Sequence, residues 1–122
     1  MTNNIKLKVQ DFYSPDIEVH SWEPEAPESV RFLLELEIGE AGDEKRDLFQ
    51  VLVATPEGLR AAAREGVIAD RATIVISDYS WLQIQHAVQG IVERCEAPTW
   101  EEAVLKLQRY FRWEYEDYVQ EA

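Results

Sequence analysis

Apolar and polar residues alternate from residue 4 to 12, with Ile5, Leu7 and Val9 on one side and Lys6, Lys8 and Gln10 on the other. Period two predicts a half-buried strand. The alternation stops near residue 13. Through residue 28 the chain is punctuated by Pro15, Pro24 and Pro27, which predicts a long loop with at most a short extended piece at Ile17–Val19. Loops of that length are often functional. Alternation returns over residues 29–38, where Val30, Phe32, Leu34, Leu36 and Ile38 oppose Arg31, Glu35 and Glu37. A polar turn from Gly39 to Lys45 leads to residues 47–55, with Phe49, Val51 and Val53 on one face. Two alternating runs around a glycine-containing connection predict a hairpin. Leu48, Leu52 and Ala54 are also apolar, which predicts a central strand covered on both sides.

Thr55-Pro56-Glu57 predicts a helix start: a capping hydroxyl, a proline suited to the first helical position and an acid that complements the dipole. This short helix should run to about Arg64 and end at Gly66. The β-branched run at residues 72–77 predicts a fourth, well-buried strand. From Ser80 the period becomes helical, with Trp81, Ile84, Val88, Ile91, Val92 and Cys95 on one face. Glu96-Ala97-Pro98 breaks that helix, and Thr99 with Glu102 forms a T-x-x-E capping box for the next. Trp100, Ala103, Val104, Leu107 and Phe111 should line its core face. The predicted fold is α+β: an antiparallel sheet of about four strands, two C-terminal helices packed on one face, and a short helix between strands three and four. Residues 1–122 show no repeat and fit one domain.

Charge narrows the partners. Asp and Glu number 24 against 12 Lys and Arg, a formal charge of −12. That sign opposes nucleic acid and anionic membrane surfaces, and favours a basic partner whose approach is electrostatically steered. The excess is concentrated. Residues 11–28 carry six carboxylates and no Lys or Arg, whereas the eight carboxylates from Glu93 onward are interleaved with four basic residues. Apolar residues at 46% argue against global disorder. A lone Cys95, the absence of an apolar leader and the lack of any apolar run near the ~20 residues of a membrane span predict a cytoplasmic protein.

Candidate chemistry is sparse. His20 and His86 stand apart with no close-spaced ligands, so no metal site is expected. Cys95 lies on an apolar helix stripe, nine residues from His86 and on the opposite side of the helix, so the two cannot form a nucleophile pair. No serine has a G-x-S-x-G context and no glycine-rich phosphate loop occurs. Carboxylates are abundant, but spacing selects no acid–base pair. No catalytic residue and no cofactor is assigned.

The densest feature is the tail, Tyr110-Phe111-Arg112-Trp113-Glu114-Tyr115-Glu116-Asp117-Tyr118. Phe111, Tyr115 and Tyr118 recur at helical spacing and could close the core edge. Trp113 and Tyr118, ringed by carboxylates, could equally anchor an interface. Phe111 and Trp113 are read here as core, with Glu114, Glu116 and Asp117 either exposed or bonded to a neighbouring loop.

The segment Trp113–Tyr118 resembles the W-E-F-E-D-Y ending of the immunity protein 8 family of bacterial polymorphic toxin systems. Thr99-Trp100-Glu101-Glu102-Ala103 with Lys106-Leu107 resembles that family's T-W-E-E-x-x-x-K-L segment, and Ser14-Pro15-Asp16-Ile17 its S-P-D-I. Thr55-Pro56 with Leu59, and Arg71 ahead of the strand at Ile74–Ile76, also fit. The likeness spans residues 12–118, and its C-terminal block is the specific part. Tyr115 replaces an expected Phe, and Ala97-Pro98 an expected Gly. The resemblance implies an antitoxin that binds and neutralises the toxin encoded beside it, with no catalytic role for the recurring Trp100, Trp113, Glu114, Glu116, Asp117 and Tyr118. Whether these hold the fold or touch the toxin stays open.

Joined to the charge pattern, this gives a working expectation. The chain is a non-enzymatic inhibitor whose acidic loop occupies a basic cleft, such as a nuclease's, as a phosphate mimic. Asp16, Glu18, Glu23 and Glu25 are the candidate contacts and Trp22 the candidate anchor. The alternatives are a carboxylate-based or metal-dependent enzyme, which needs a cleft with two carboxylates or a bound ion, and a general protein-binding adaptor.

Overall fold

The computed structural model describes residues 3–63 and 71–116. Its centre is the predicted hairpin, β2 (Arg31–Glu40) and β3 (Arg46–Ala54), in antiparallel register from Arg31 opposite Ala54 to Gly39 opposite Arg46. Phe32 faces Val53, Leu34 faces Val51 and Leu36 faces Phe49, all buried on one face. β1 (Leu7–Tyr13) pairs antiparallel with the other side of β2. Its register shifts between Val9 and Asp11. A bulge inserts one residue and reverses the alternation beyond it. Leu7 and Val9 point inward before the shift and Phe12 after it, so Asp11 and Tyr13 turn outward beside Glu37 and Glu35.

Among the described residues the sheet has five strands and is mixed. β4 (Thr73–Val75) runs parallel to β3, pairing Leu52–Ala54. Parallel neighbours need a crossover, and the segment holding α1 (Pro56–Ala62) supplies it. The predicted end of this helix, Arg64 to Gly66, lies outside the described residues. β5 (Arg112–Trp113), absent from the sequence reading, pairs antiparallel with β3 at Phe49 and Gln50. One side of β3 is thus shared by two short strands, while β2 occupies the other.

α1 begins as its sequence predicts. The buried Thr55 hydroxyl accepts from Gly58 N at 3.1 Å and from Val30 N at 3.0 Å, tying the helix start to the head of β2. Gly58 lies so close to this junction that a Cβ would run into the Val30 carbonyl. Backbone cannot swing aside as a flexible side chain can. Gly58→Ala should therefore cost about 2 kcal/mol despite alanine's better helix propensity, measured by urea unfolding; equal or greater stability would show that the junction relaxes freely.

α2 (Trp81–Arg94) and α3 (Trp100–Leu107) are capped by Ser80, accepting from Gln83 N, and by Thr99, accepting from Glu102 N. Ile84, Val88 and Val92 from α2 and Ala103, Val104 and Leu107 from α3 join the inner-face residues of the sheet in one buried cluster. α3 ends four residues before Phe111, yet Phe111 is fully buried in that cluster, reached by a turn in which its N–H donates to Leu107 O at 2.9 Å. Cys95 is buried with it.

The open side of β1 is closed by the α2–α3 region. The N–H groups of Ile5, Leu7 and Val9 donate to Ala97 O, Glu96 Oε2 and Gln89 Oε1 at 2.8, 2.9 and 3.4 Å. Unpaired edge amides invite pairing with other chains, and here acceptors from α2 and the α2–α3 connection take them.

Candidate functional site

The aromatic-acidic tail is a structural seam along β3. Glu114 caps Leu48 twice: its N–H donates to Leu48 O at 3.0 Å, and its carboxylate accepts from Leu48 N at 2.6 Å. β5 pairs with Gln50. Farther along, Leu52 N donates to Ala72 O and Ile76 N to Ala54 O. The side of β3 away from β2 is thereby satisfied along its length, as a buried strand requires.

Glu116 fastens the seam. Its carboxylate accepts from Arg71 Nη2 through both oxygens, at 2.6 and 2.7 Å, and from Trp113 N at 2.8 Å. Burial works against charge on this carboxyl, but the Arg71 guanidinium and the Trp113 N–H outweigh it and hold Glu116 below its usual range. Trp113 is half-buried against the core, and its indole N–H donates to Asp47 Oδ2 at 3.0 Å. Tyr115 packs edge-on to Trp113, and its hydroxyl pairs with Glu114, which pushes the phenol upward. The hydroxyl that distinguishes Tyr115 from phenylalanine therefore has a partner. Trp100, the remaining motif tryptophan, packs against the core from the first turn of α3. Asp117 and Tyr118 lie outside the described residues.

The Ser14–Ile17 motif is also built into the fold. The buried Ser14 hydroxyl accepts from Asp16 N and Ile17 N, turning the chain out of β1. One oxygen of Asp16 then accepts from Leu33 N at 2.8 Å. β1 has ended at this point, so the carboxylate continues its ladder on β2. The extended piece expected at Ile17–Val19 is instead a series of turns, with Ser21 N and Trp22 N donating to Glu18 O.

The rest of the acidic loop is pinned from beneath. Val19 is buried, Trp22 is half-buried edge-on to Phe32 and Tyr79, and Tyr79 N donates to Pro27 O at 2.8 Å. Asp11, Asp16, Glu18, Glu23, Glu25 and Glu28 are all exposed. Among the described residues no ion pair reaches any of them, the pairs being Lys6–Glu96, Arg46–Glu37 and Arg71–Glu116.

Nothing in the local pattern marks Asp47, Gln89 or Glu96 as structural partners. Asp47 and Trp113 are separated by 66 positions, and Asp47 reads simply as the polar start of a strand. Arg71 was visible only through the family likeness.

Candidate chemistry stays thin. His20 is exposed beside Trp81, and His86 is exposed on α2. Burial pushes the Cys95 thiol up, against the opposing pull of Arg94, Lys106 and Arg109, which is the wrong direction for a nucleophile. Among the described residues no group of three or more His, Cys, Asp or Glu is placed to hold a metal ion, and no helix is long and apolar enough to cross a membrane.

No curated protein and no solved structure matches the chain. The family model for Immunity protein 8 matches residues 5–118, from just before β1 to the end of the tail motif. The chain therefore belongs to the Immunity protein 8 family, whose members are immunity proteins of polymorphic toxin systems.

Proposed function

We propose that this immunity protein acts in the cytoplasm as a non-enzymatic inhibitor, binding a basic cognate toxin domain through the acidic loop over residues 11–28. The observation that carries this reading is a segment of six exposed carboxylates, Asp11 at the end of β1 and five in the loop after it, with no Lys or Arg in its sequence and no ion pair to its acids among the described residues. Exposed carboxylates not already paired with a cation are available to an incoming one and steer its approach. Glu18, Glu23 and Glu25 are the outward contacts. Asp16 contributes at the loop's base, where one oxygen is committed to Leu33. Trp22, packed on Phe32 and Tyr79, supports the loop so that little ordering accompanies binding. A nuclease is the toxin class such a surface fits best, since carboxylates can stand where substrate phosphates would.

The test uses the toxin domain encoded beside this chain, in catalytically inactivated form. Changing Asp16, Glu18, Glu23 and Glu25 together to Ser should slow association by about tenfold at low salt and flatten its salt dependence. An unchanged association rate would rule out the loop as the steering surface.

A further inference from the structure

A sheet leaves main-chain groups unpaired at its edges, and proteins close those edges. Most of the closures here can be named. Ala97, Glu96 and Gln89 take the N–H groups of Ile5, Leu7 and Val9 outside β1. The Asp16 carboxylate takes the Leu33 N–H where β1 has ended. Glu114 satisfies both main-chain groups of Leu48, and Glu116 takes the N–H of Trp113 in β5. The outer side of β4 is different. Ala72 O accepts from Leu52 N and Ile76 N donates to Ala54 O, so Ala72 and Ile76 face β3. Successive residues of a strand turn to opposite sides. The N–H and C=O groups of Thr73 and Val75 therefore point away from β3, and no hydrogen bond closes them among the described residues. Val75 is 56% exposed, and the Thr-Ile-Val strand carries no charge or proline to turn another strand away.

We propose that β4 accepts an extended segment of the cognate toxin domain as an added strand, bonded main chain to main chain at Thr73 and Val75. The inference deepens the inhibitor reading and rests on it. An open edge specifies its occupant by hydrogen-bond valence: donors and acceptors alternating along one line are matched by the backbone of another strand. A second copy of this chain is a poor source of that strand. Each copy carries a formal charge of −12, which opposes close approach, and a three-residue edge offers few bonds to offset the repulsion. A basic toxin domain meets no such repulsion. The edge is also continuous with the surface proposed for that partner. β4 leads to Tyr79, whose N–H donates to Pro27 O in the acidic loop and whose ring packs edge-on to Trp22. A domain steered to the loop therefore arrives beside β4. The loop sets the encounter rate, and the added strand sets the lifetime.

That division separates the two ideas experimentally. Val75→Pro removes one outward N–H. Proline is tolerated on the solvent side of an edge strand, and the flanking bonds to β3 run through Ala72 and Ile76. Val75→Ala shortens the side chain and keeps the N–H. Melting temperatures check folding, and surface plasmon resonance against the inactivated toxin domain encoded beside the chain reads the rates. Val75→Pro should raise the dissociation rate about tenfold, with Val75→Ala within about threefold of the parent and association unchanged in both. Amide hydrogen exchange on the parent chain needs no variant. The Thr73 and Val75 amides should exchange at least about tenfold more slowly in the complex than in the free chain. Unchanged exchange at both amides would overturn the inference. So would a folded Val75→Pro that dissociates like the parent, or a Val75→Ala that loses as much as the proline variant. Protection that grows with concentration in the chain alone would give the edge to a second copy and overturn it as well. Each of these outcomes leaves the inhibitor reading standing. If the parent chain does not bind the toxin domain, that reading fails and the inference falls with it.

Discussion

Replacing Phe111 by alanine is expected to remove about 3–5 kcal/mol of folding stability. The ring is fully buried, with its centroid 6.5 Å from that of Phe49 in an edge-on arrangement. It is also the hinge of the C-terminal segment, because α3 ends just before it and β5 starts just after it. Truncation loses the transfer free energy of the ring and leaves a cavity beneath β3 whose rigid walls, strands on one side and α3 on the other, close only in part. Against a total of about 5–15 kcal/mol for a typical domain, that loss is a large fraction. Urea unfolding followed by tryptophan fluorescence reads it directly. Phe111→Leu, which refills most of the space, should recover more than half of the loss. A cost below about 1 kcal/mol for the alanine variant would mean that the ring contributes little packing.

Glu116→Ala is expected to cost about 3 kcal/mol. The bidentate contact to Arg71 is only partly sheltered, since Arg71 is 40% exposed, so its share is modest. The larger share comes from the Trp113 N–H, which loses its acceptor in a half-buried position. The same carboxylate makes stability pH-dependent. Its folded pKa lies below the unfolded value, so its contribution is fully present above about pH 4.3, the ordinary glutamate value, and is lost as pH falls through the lowered folded value. Glu116→Gln should therefore flatten the acid limb of the stability profile, with the parent and variant curves converging at low pH. Parallel curves across that range would show that Glu116 does not couple protonation to folding.

Local pattern carried the inner architecture of this fold. The inward rows of β2 and β3, the Thr55, Ser80 and Thr99 caps and the apolar stripes of α2 and α3 all follow from spacing between near neighbours in the chain. The features that escaped depend on distant partners or on one extra residue. The bulge near Gln10 cannot be inferred from alternation, and it decides that Tyr13 faces outward. β5 was hidden because Phe111 and Tyr115 fit a helical period, while the turn after Leu107 and the pairing with β3 depend on tertiary contacts. β4 was legible as a strand from its β-branched residues, but its parallel direction required knowing where the chain travels after α1. At the candidate site, the carboxylates of residues 11–28 were plain in the sequence. What the sequence concealed is that Asp16 also completes the β2 ladder and that Trp22 sits beneath the loop.

The seam along β3 also imposes an order on biosynthesis. Leu48 leaves the ribosome 66 residues before Glu114, the residue that satisfies both its N–H and its carbonyl. During that interval the nascent hairpin can pair β2 with β3 but presents an uncapped third side, the kind of edge that recruits other chains. Chains arrested or clipped before residue 112 would keep the Leu48–Gln50 stretch of that side open, since β4 covers only Leu52–Ala54. The segment around β5, made well after β3, thus acts as the molecule's own chaperone.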